Sequence, residues 1–301
     1  RLPVFRRIQM FELNQISNQC WYINSPAKIG IYKQNESDVY LIDSGNDKDA
    51  GRKVRKILDE NGWKLKGIIN THSNADHIGG NQYLQRQTGC KIFAKGIECD
   101  FTNHPILEPS FLYGGYPCKD LRHKFLLAGE SNAVDTEDAD FPKELKIIDL
   151  KGHFFDMIGI RTPDDVVFLA DCISSRETLE KYQISFIYDV AEYLKTLDVV
   201  EAMEAKLFVP AHAGVAADLK DLVKFNRQKV YEMADKTINM LKTPMIFEDL
   251  LKRFFDEYRL VMNFEQYVLV GSTVKSYLSY LKDNGKITAL FNDNQLIWSA
   301  I

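Results

Sequence analysis

Six histidines occur in the 301 residues, and four of them recur in one kind of place. His72 follows the apolar run "KGIIN", His153 follows "LKIIDL" and His212 follows "KLFV", while His77 stands five positions beyond His72. Asp171 follows a fourth such run, "DVVFLA". Within "NTHSNADHIGG", residues 70–80, His72, Asn74, Asp76 and His77 crowd together ahead of a glycine pair. Imidazole nitrogens and carboxylate oxygens are donors that divalent first-row metals favour. At alternate positions of a tight loop they can face one centre, and the adjacent Asp76 and His77 reach a second from the start of a helix. Two nearby cations would share Asp171. One such histidine alone reads as a surface or hydrogen-bonded group. The same placement four times over points to a common metal site.

The intervening elements have to bring these residues together. Residues 18–43 cluster apolar groups in short runs broken by turn-rich stretches, which predicts a β-meander. A helix is predicted over about 49–61, stopped by Asn61-Gly62. From there short buried strands alternate with turns or helices, the grammar of a layered α/β protein, where strand carboxyl ends share one edge. Gly79 and Gly80 would let the helix after His77 approach the strands closely. Residues 96–143 read as a loop-rich, lid-like insertion whose Phe111, Tyr113 and Tyr116 pack over the rim of the site. Beyond about 216 the period turns helical: 218–242, stopped by Pro244, then 246–258, 264–270 and 272–283, closed by a hairpin of "KITALF" and "QLIWSAI". The last three helices and the hairpin make a winged-helix pattern, so the expected division is 1–217 and 218–301.

Taken as a set, His72-x-Asn74-x-Asp76-His77, His153 after a glycine, Asp171 after a strand and His212 in "PAHAG" resemble the metallo-β-lactamase superfamily, whose motif is HxHxDH followed by a His, a bridging Asp and a last His. "LIDSG" at 41–45 is also similar to the family's strand and turn, and the likeness covers about 12–215. The resemblance implies a four-layer αββα sandwich with metals at its upper edge, followed here by a small C-terminal helical, winged-helix-like domain. It implies a first site of His72, Asn74 and His153, a second of Asp76, His77 and His212, and Asp171 between them. Asn74 departs from the family's histidine. An amide oxygen is a harder, weaker donor than imidazole, so one or two zinc ions are expected with the first site weakened, or manganese or iron in their place. Phe154 and Phe155 also depart from the family and would narrow the entrance.

The chemistry implied is hydrolysis by a metal-activated water, with Asp76 orienting the water or passing a proton to the leaving group. A small ester, thioester or lactone is the expected substrate, and Tyr113, Tyr116 and Tyr182 are candidate pocket donors. Two other readings stay open: a degenerate scaffold in which Asn74 has cost the metal, and a nuclease with a nucleic-acid-contacting winged helix. A formal charge of −4 argues against nucleic acid, as do six basic against seven acidic residues in 243–301. Five scattered cysteines without a CxxC pair suggest reduced thiols and a cytoplasmic setting. No run reaches the ~18 apolar residues of a membrane span. The opening "RLPVFRRIQMFELNQ" lacks the apolar core of a signal peptide, although a leader trimmed ahead of Arg1 stays open, as does a homodimer.

Overall fold

Strands buried on both faces account for the near-continuous apolar runs of the sequence. In a computed structural model, which describes residues 10–301, a seven-stranded sheet runs in the order β1 to β7. Its strands are β1 (Leu13–Gln15), β2 (Cys20–Ile23), β3 (Ile29–Lys33), β4 (Asp38–Ile42), β5 (Lys64–Ile69), β6 (Lys91–Ala94) and β7 (Ala133–Asp135). The first four pair antiparallel, as a meander should, and the rest pair parallel. A second sheet holds β8 (Lys146–Asp149), β9 (Ile158–Arg161), β10 (Val166–Ser174) and β11 (Leu207–His212) in the order β11-β10-β9-β8. The start of the chain, including the leader question, lies for residues 1–9 outside the described residues.

Alternate side chains sort into three cores. Ile31, Val39, Leu41 and Ile68 of the first sheet meet Val54 and Leu58 of α1 (Lys48–Glu60) and Leu84 of α3 (Asn81–Thr88). From its other face Tyr32, Tyr40, Ile69 and Phe93 meet Ile158, Ile160, Val166 and Phe168 of the second sheet. Behind that sheet Val167, Leu169 and Phe208 meet α7 (Val190–Ala202) and α8 (Lys220–Met240) through Tyr193, Leu197, Val223 and Val230. Helix, sheet, sheet, helix: the expected four layers are present. The third core runs on without a break into Leu250 and Phe254 of α9 (Phe247–Glu257), Val274 and Leu278 of α10 (Phe264–Asp283), and Ile287 of the hairpin β12 (Ile287–Asn292) and β13 (Gln295–Ala300). No helix among the described residues is long and apolar enough to cross a membrane.

Three expectations need correcting. The insertion is not all loop, about a third of it being helical: α4 (Ile97–Asn103) and α5 (Leu107–Tyr113) precede a short 3-10 turn at Lys119–Leu121, and β7 extends the first sheet. Pro109 falls in the first turn of α5, where N–H groups have no intrahelical partner to lose. The two helices expected at 264–270 and 272–283 are one, α10. There Gly271 faces Leu251 and Phe247, and burial of the flanking Val270 and Val274 outweighs a glycine penalty of ~1 kcal/mol. Finally, β10 does not stop before Asp171 but continues to Ser174. A left-handed Ala170 (φ 52°) and register shifts on either side of it mark a bulge that re-aims Asp171.

Candidate metal centre

Each clustered side chain leaves the end of a strand or the first turn of a helix. After β5 the chain crosses Asn70 and Thr71 to reach His72, and this loop is tied down by buried polar pairs. Asn81 donates to Asn70 Oδ1 (2.8 Å) and Ser44 Oγ donates to Asn81 Oδ1 (2.8 Å). Asp76 and His77 lie on the single-turn helix α2 (Ala75–Ile78). Gly79 and Gly80 follow it, and a Cβ on either would run into the backbone of Asn46 or Ser44, so only glycine lets α2 sit this close to the loop after β4. His153 follows the turn after β8, Asp171 projects from the bulge in β10, and His212 ends β11.

The structure brings all seven residues together. Asp171 is central: its Oδ1 lies 3.1 Å from His77 Nε2, and its Oδ2 lies 3.2 Å from His212 Nε2, 3.5 Å from His153 Nε2 and 3.8 Å from His72 Nε2. Asp76 Oδ2 is 3.6 Å from the Nε2 of both His77 and His212. Asn74 Oδ1 is 3.2 Å from His153 Nε2. Two donor groups result, Asp76, His77, Asp171 and His212 in one and His72, His153 and Asp171 in the other, with the donor atoms of each within 4.8 Å of one another.

Outside this cluster each ring has a fixed partner at Nδ1. His77 Nδ1 meets Asp43 Oδ2 (2.8 Å), His153 Nδ1 the Phe186 carbonyl oxygen (3.0 Å), and His212 Nδ1 the Pro26 carbonyl oxygen (3.0 Å), while His72 Nδ1 faces Thr71 Oγ1 (3.1 Å). A carbonyl or carboxylate there accepts a proton from Nδ1, which leaves the Nε2 lone pair turned inward, the tautomer that ligates metal. Buried His72 Nε2, His77 Nε2 and Asp171 Oδ1 have no hydrogen-bond partner within the protein. Such orphaned groups are costly unless something else satisfies them, and a divalent cation among them does so. The residues present therefore fit a metal.

The electrostatics agree. Burial pulls His72 and His153 below the usual imidazole range. Burial opposes charge at His77 and His212 too, but Asp171 and Asp76 outweigh it, holding His77 well above its ordinary value and raising His212 to about 10. Against the same burial the two imidazoles keep Asp171 and Asp76 below the ordinary carboxylate range. Two carboxylates thus create a potential that protons or a divalent cation can satisfy, so uptake of a metal here would release protons.

Several supporting residues escaped the sequence reading. Asp43, at a left-handed φ of 64° in "LIDSG", accepts from Thr71 N (2.8 Å) and Thr71 Oγ1 (2.7 Å) besides facing His77. Its signal was its own position at a strand end. Glu98 accepts from Ser73 N (3.0 Å) and Asp156 N (2.8 Å), and Glu108 accepts from Asn74 Nδ2 (2.8 Å) and Ala75 N (3.0 Å). Nothing local in the insertion marked either carboxylate as buried.

The candidate tyrosines are elsewhere. Tyr113, Tyr116 and Tyr182 are 43%, 72% and 54% exposed and touch none of the clustered residues; Tyr116 accepts from Arg122, and Tyr182 lies under Lys181. Phe111 instead joins Phe101, Phe154, Phe155 and Tyr188 in an aromatic group beside His72 and His153. Phe154 is fully buried, so it forms the wall of the site and does not narrow its mouth. His104 and His123 remain outside the cluster, His123 facing Glu265 at 3.6 Å.

Comparison with known proteins gives the same picture. The family model of the metallo-beta-lactamase superfamily matches residues 29–212. A hydroxyacylglutathione hydrolase of Shewanella pealeana is 32% identical over 93 residues, 30% of this chain and 33% of that protein. One of Methylococcus capsulatus is 46% identical over 39 residues, 13% of this chain and 15% of that protein. These matches span a third or less of the curated relatives' length. Among solved structures, a beta-lactamase domain protein from Burkholderia ambifaria superposes with a TM-score of 0.75 at 12% identity, covering 99% of this chain and 98% of that one. A metallo-beta-lactamase family protein from Thermus thermophilus gives 0.72 at 14% identity, covering 97% and 98%. At these identities the likeness concerns the fold, and it extends through the helical tail.

Proposed function

This chain belongs to the metallo-β-lactamase superfamily, and from that premise we propose that it is a metal-dependent hydrolase of a small thioester or ester. The observation that carries the reading is Asp171, whose two oxygens reach toward four imidazoles at 3.1–3.8 Å while His72 Nε2 and His77 Nε2 are left orphaned. We assign His72, Asn74 and His153 to a first metal site, Asp76, His77 and His212 to a second, and Asp171 to both. Zinc suits the nitrogen-rich donors, and the amide oxygen of Asn74 also suits manganese or iron. The name of the matched relatives, hydroxyacylglutathione hydrolase, favours an acylated thiol over a lactone or phosphodiester.

A divalent metal bound here would supply Lewis acidity and lower the pKa of a water to ~7. The protein does the rest. Asp76 Oδ2, in contact range of His77 and His212 but partly exposed, is placed to take a proton from the attacking water and return it to the leaving sulfur or oxygen. Asp43, Phe186 and Pro26 hold three rings with Nε2 inward. Phe154 and its aromatic neighbours exclude water behind His72 and His153. An open cleft of about 560 Å³ borders His212 and is lined by Tyr22, Lys28, Ser175 and Thr178 among others, and this cleft receives the substrate. Its ammonium and hydroxyls orient a polar leaving group.

The test is metal content followed by turnover of a generic thioester and a generic ester. Stoichiometric metal with hydrolysis abolished by a chelator supports the reading. Chelator-resistant hydrolysis contradicts it.

A further inference from the structure

Asn74 presents a problem of direction. A carboxamide has an acceptor end and a donor end of nearly equal size, and only the acceptor end can ligate a cation. Its Oδ1 faces His153 Nε2 at 3.2 Å, and His153 already gives its Nδ1 proton to the Phe186 carbonyl oxygen. Two lone-pair donors therefore confront each other with no proton between them. Left to itself, the amide would turn over and donate Nδ2–H to His153. What prevents this is on its other side: Glu108 Oε1 accepts from Asn74 Nδ2 at 2.8 Å, and Glu108 Oε2 accepts from Ala75 N at 3.0 Å. Glu108 is 5% exposed and rides on α5, in the insertion. Turning the amide would set Oδ1 against Glu108 Oε1, the oxygen to which Nδ2 now donates, and would forfeit that bond.

We propose that Glu108 is a positioning residue for the first metal site: through the Asn74 amide it holds the Oδ1 lone pair toward the metal and polarises it. The inference rests on the assignment of Asn74 as a ligand. A carboxyl oxygen that accepts from behind a ligating amide fixes its orientation, as an acceptor behind a ligating imidazole does elsewhere. It offsets part of the weakness of an amide donor. The insertion then belongs to the metal site itself, because it supplies this carboxylate.

The experiment is stepwise titration of the metal-free full chain with zinc and with manganese, read by competition with a chromophoric chelator, alongside circular dichroism. Three proteins are compared: wild type, E108Q and the double variant N74D/E108Q. In E108Q the new side-chain amide offers an N–H to Asn74 and so turns the Asn74 amide over, and first-site affinity is expected to fall roughly 10- to 100-fold with the second step unchanged. In the double variant the hydrogen-bond polarity is reversed at the contact between the two side chains. The introduced glutamine accepts from Ala75 N and donates to one oxygen of the introduced aspartate, whose other oxygen faces the site, so first-site affinity returns. Wild-type affinities in E108Q, or no recovery in a folded double variant, overturn the role of Glu108 alone. A wild-type chain that binds no metal overturns the hydrolase reading and this inference together. A wild-type chain that binds only at the second site overturns the inference and leaves the hydrolase reading standing.

Discussion

Asp43 Oδ2 lies 2.8 Å from His77 Nδ1, and the same carboxylate accepts from both the backbone and the hydroxyl of Thr71. One buried residue at the end of β4 thereby sets the tautomer of a candidate ligand on α2 and the path of the loop carrying another. Asp43→Asn keeps the shape but puts an N–H toward His77 Nδ1 or Thr71. With its Nδ1 turned acceptor, His77 carries its proton on Nε2 and cannot ligate. Second-site metal affinity is expected to drop roughly 10- to 100-fold in isothermal titration, with the first site much less affected.

Asn74→His places an imidazole where its Nδ1–H can donate to Glu108 and its Nε2 can face the first site. First-site zinc affinity is expected to rise and manganese to lose ground, since nitrogen is the softer donor. Competitive metal titration measures both. Unchanged zinc and manganese affinities would remove Asn74 from the ligand set.

Glu98 gives a pH dependence of known sign. It is fully buried, and burial pushes its pKa up to about 7 despite hydrogen bonds from Ser73 and Asp156. An acid raised on folding ionises more easily when unfolded. Its contribution is therefore whole below the unfolded value near 4.5, declines as pH rises to about 7, and is flat above. A shift of this size corresponds to about 3 kcal/mol. Urea unfolding of Glu98→Gln and wild type, in matched metal states, should show the variant gaining on wild type by up to that amount between pH 5 and pH 8. Parallel curves would contradict the raised value.

Phe154 carries the packing behind the site. It is fully buried and meets Phe101, Phe111, Phe155 and Phe186 at ring-centroid distances of 5.2, 6.2, 5.0 and 6.4 Å. Phe154→Ala should cost about 3–5 kcal/mol in denaturant unfolding, the range for a large aromatic truncated in a core. A loss under about 1 kcal/mol would mean that the wall collapses freely around the gap.

How far the sequence reached depended on the range of the interaction. The meander, α1 and the ligand-bearing strand ends were legible because burial periodicity and turn residues are local, and His72, His77, His153 and His212 stood out by repeating one placement. The end of β10 was misread because the bulge at Ala170 is created by its pairing with β11, which "DVVFLA" does not encode on its own. Gly271 looked like a break for a similar reason, its cost being outweighed by contacts with α9. The supporting carboxylates Glu98 and Glu108 look ordinary along the chain, and Asp43 was marked only by its place after a strand. Their roles come from partners 25–58 positions away in sequence. Tyr113, Tyr116 and Tyr182 are largely exposed, a property that an aromatic's type alone does not reveal along the chain.

The central claim is that seven side chains hold a divalent metal around Asp171. Metal analysis of purified wild type beside a folded Asp171→Ala variant tests it most directly. At least one equivalent of a divalent metal in wild type, with uptake at both sites impaired in the variant, is the expected result. A folded wild-type chain that takes up no zinc, manganese or iron, or a variant that binds as wild type does, would contradict it.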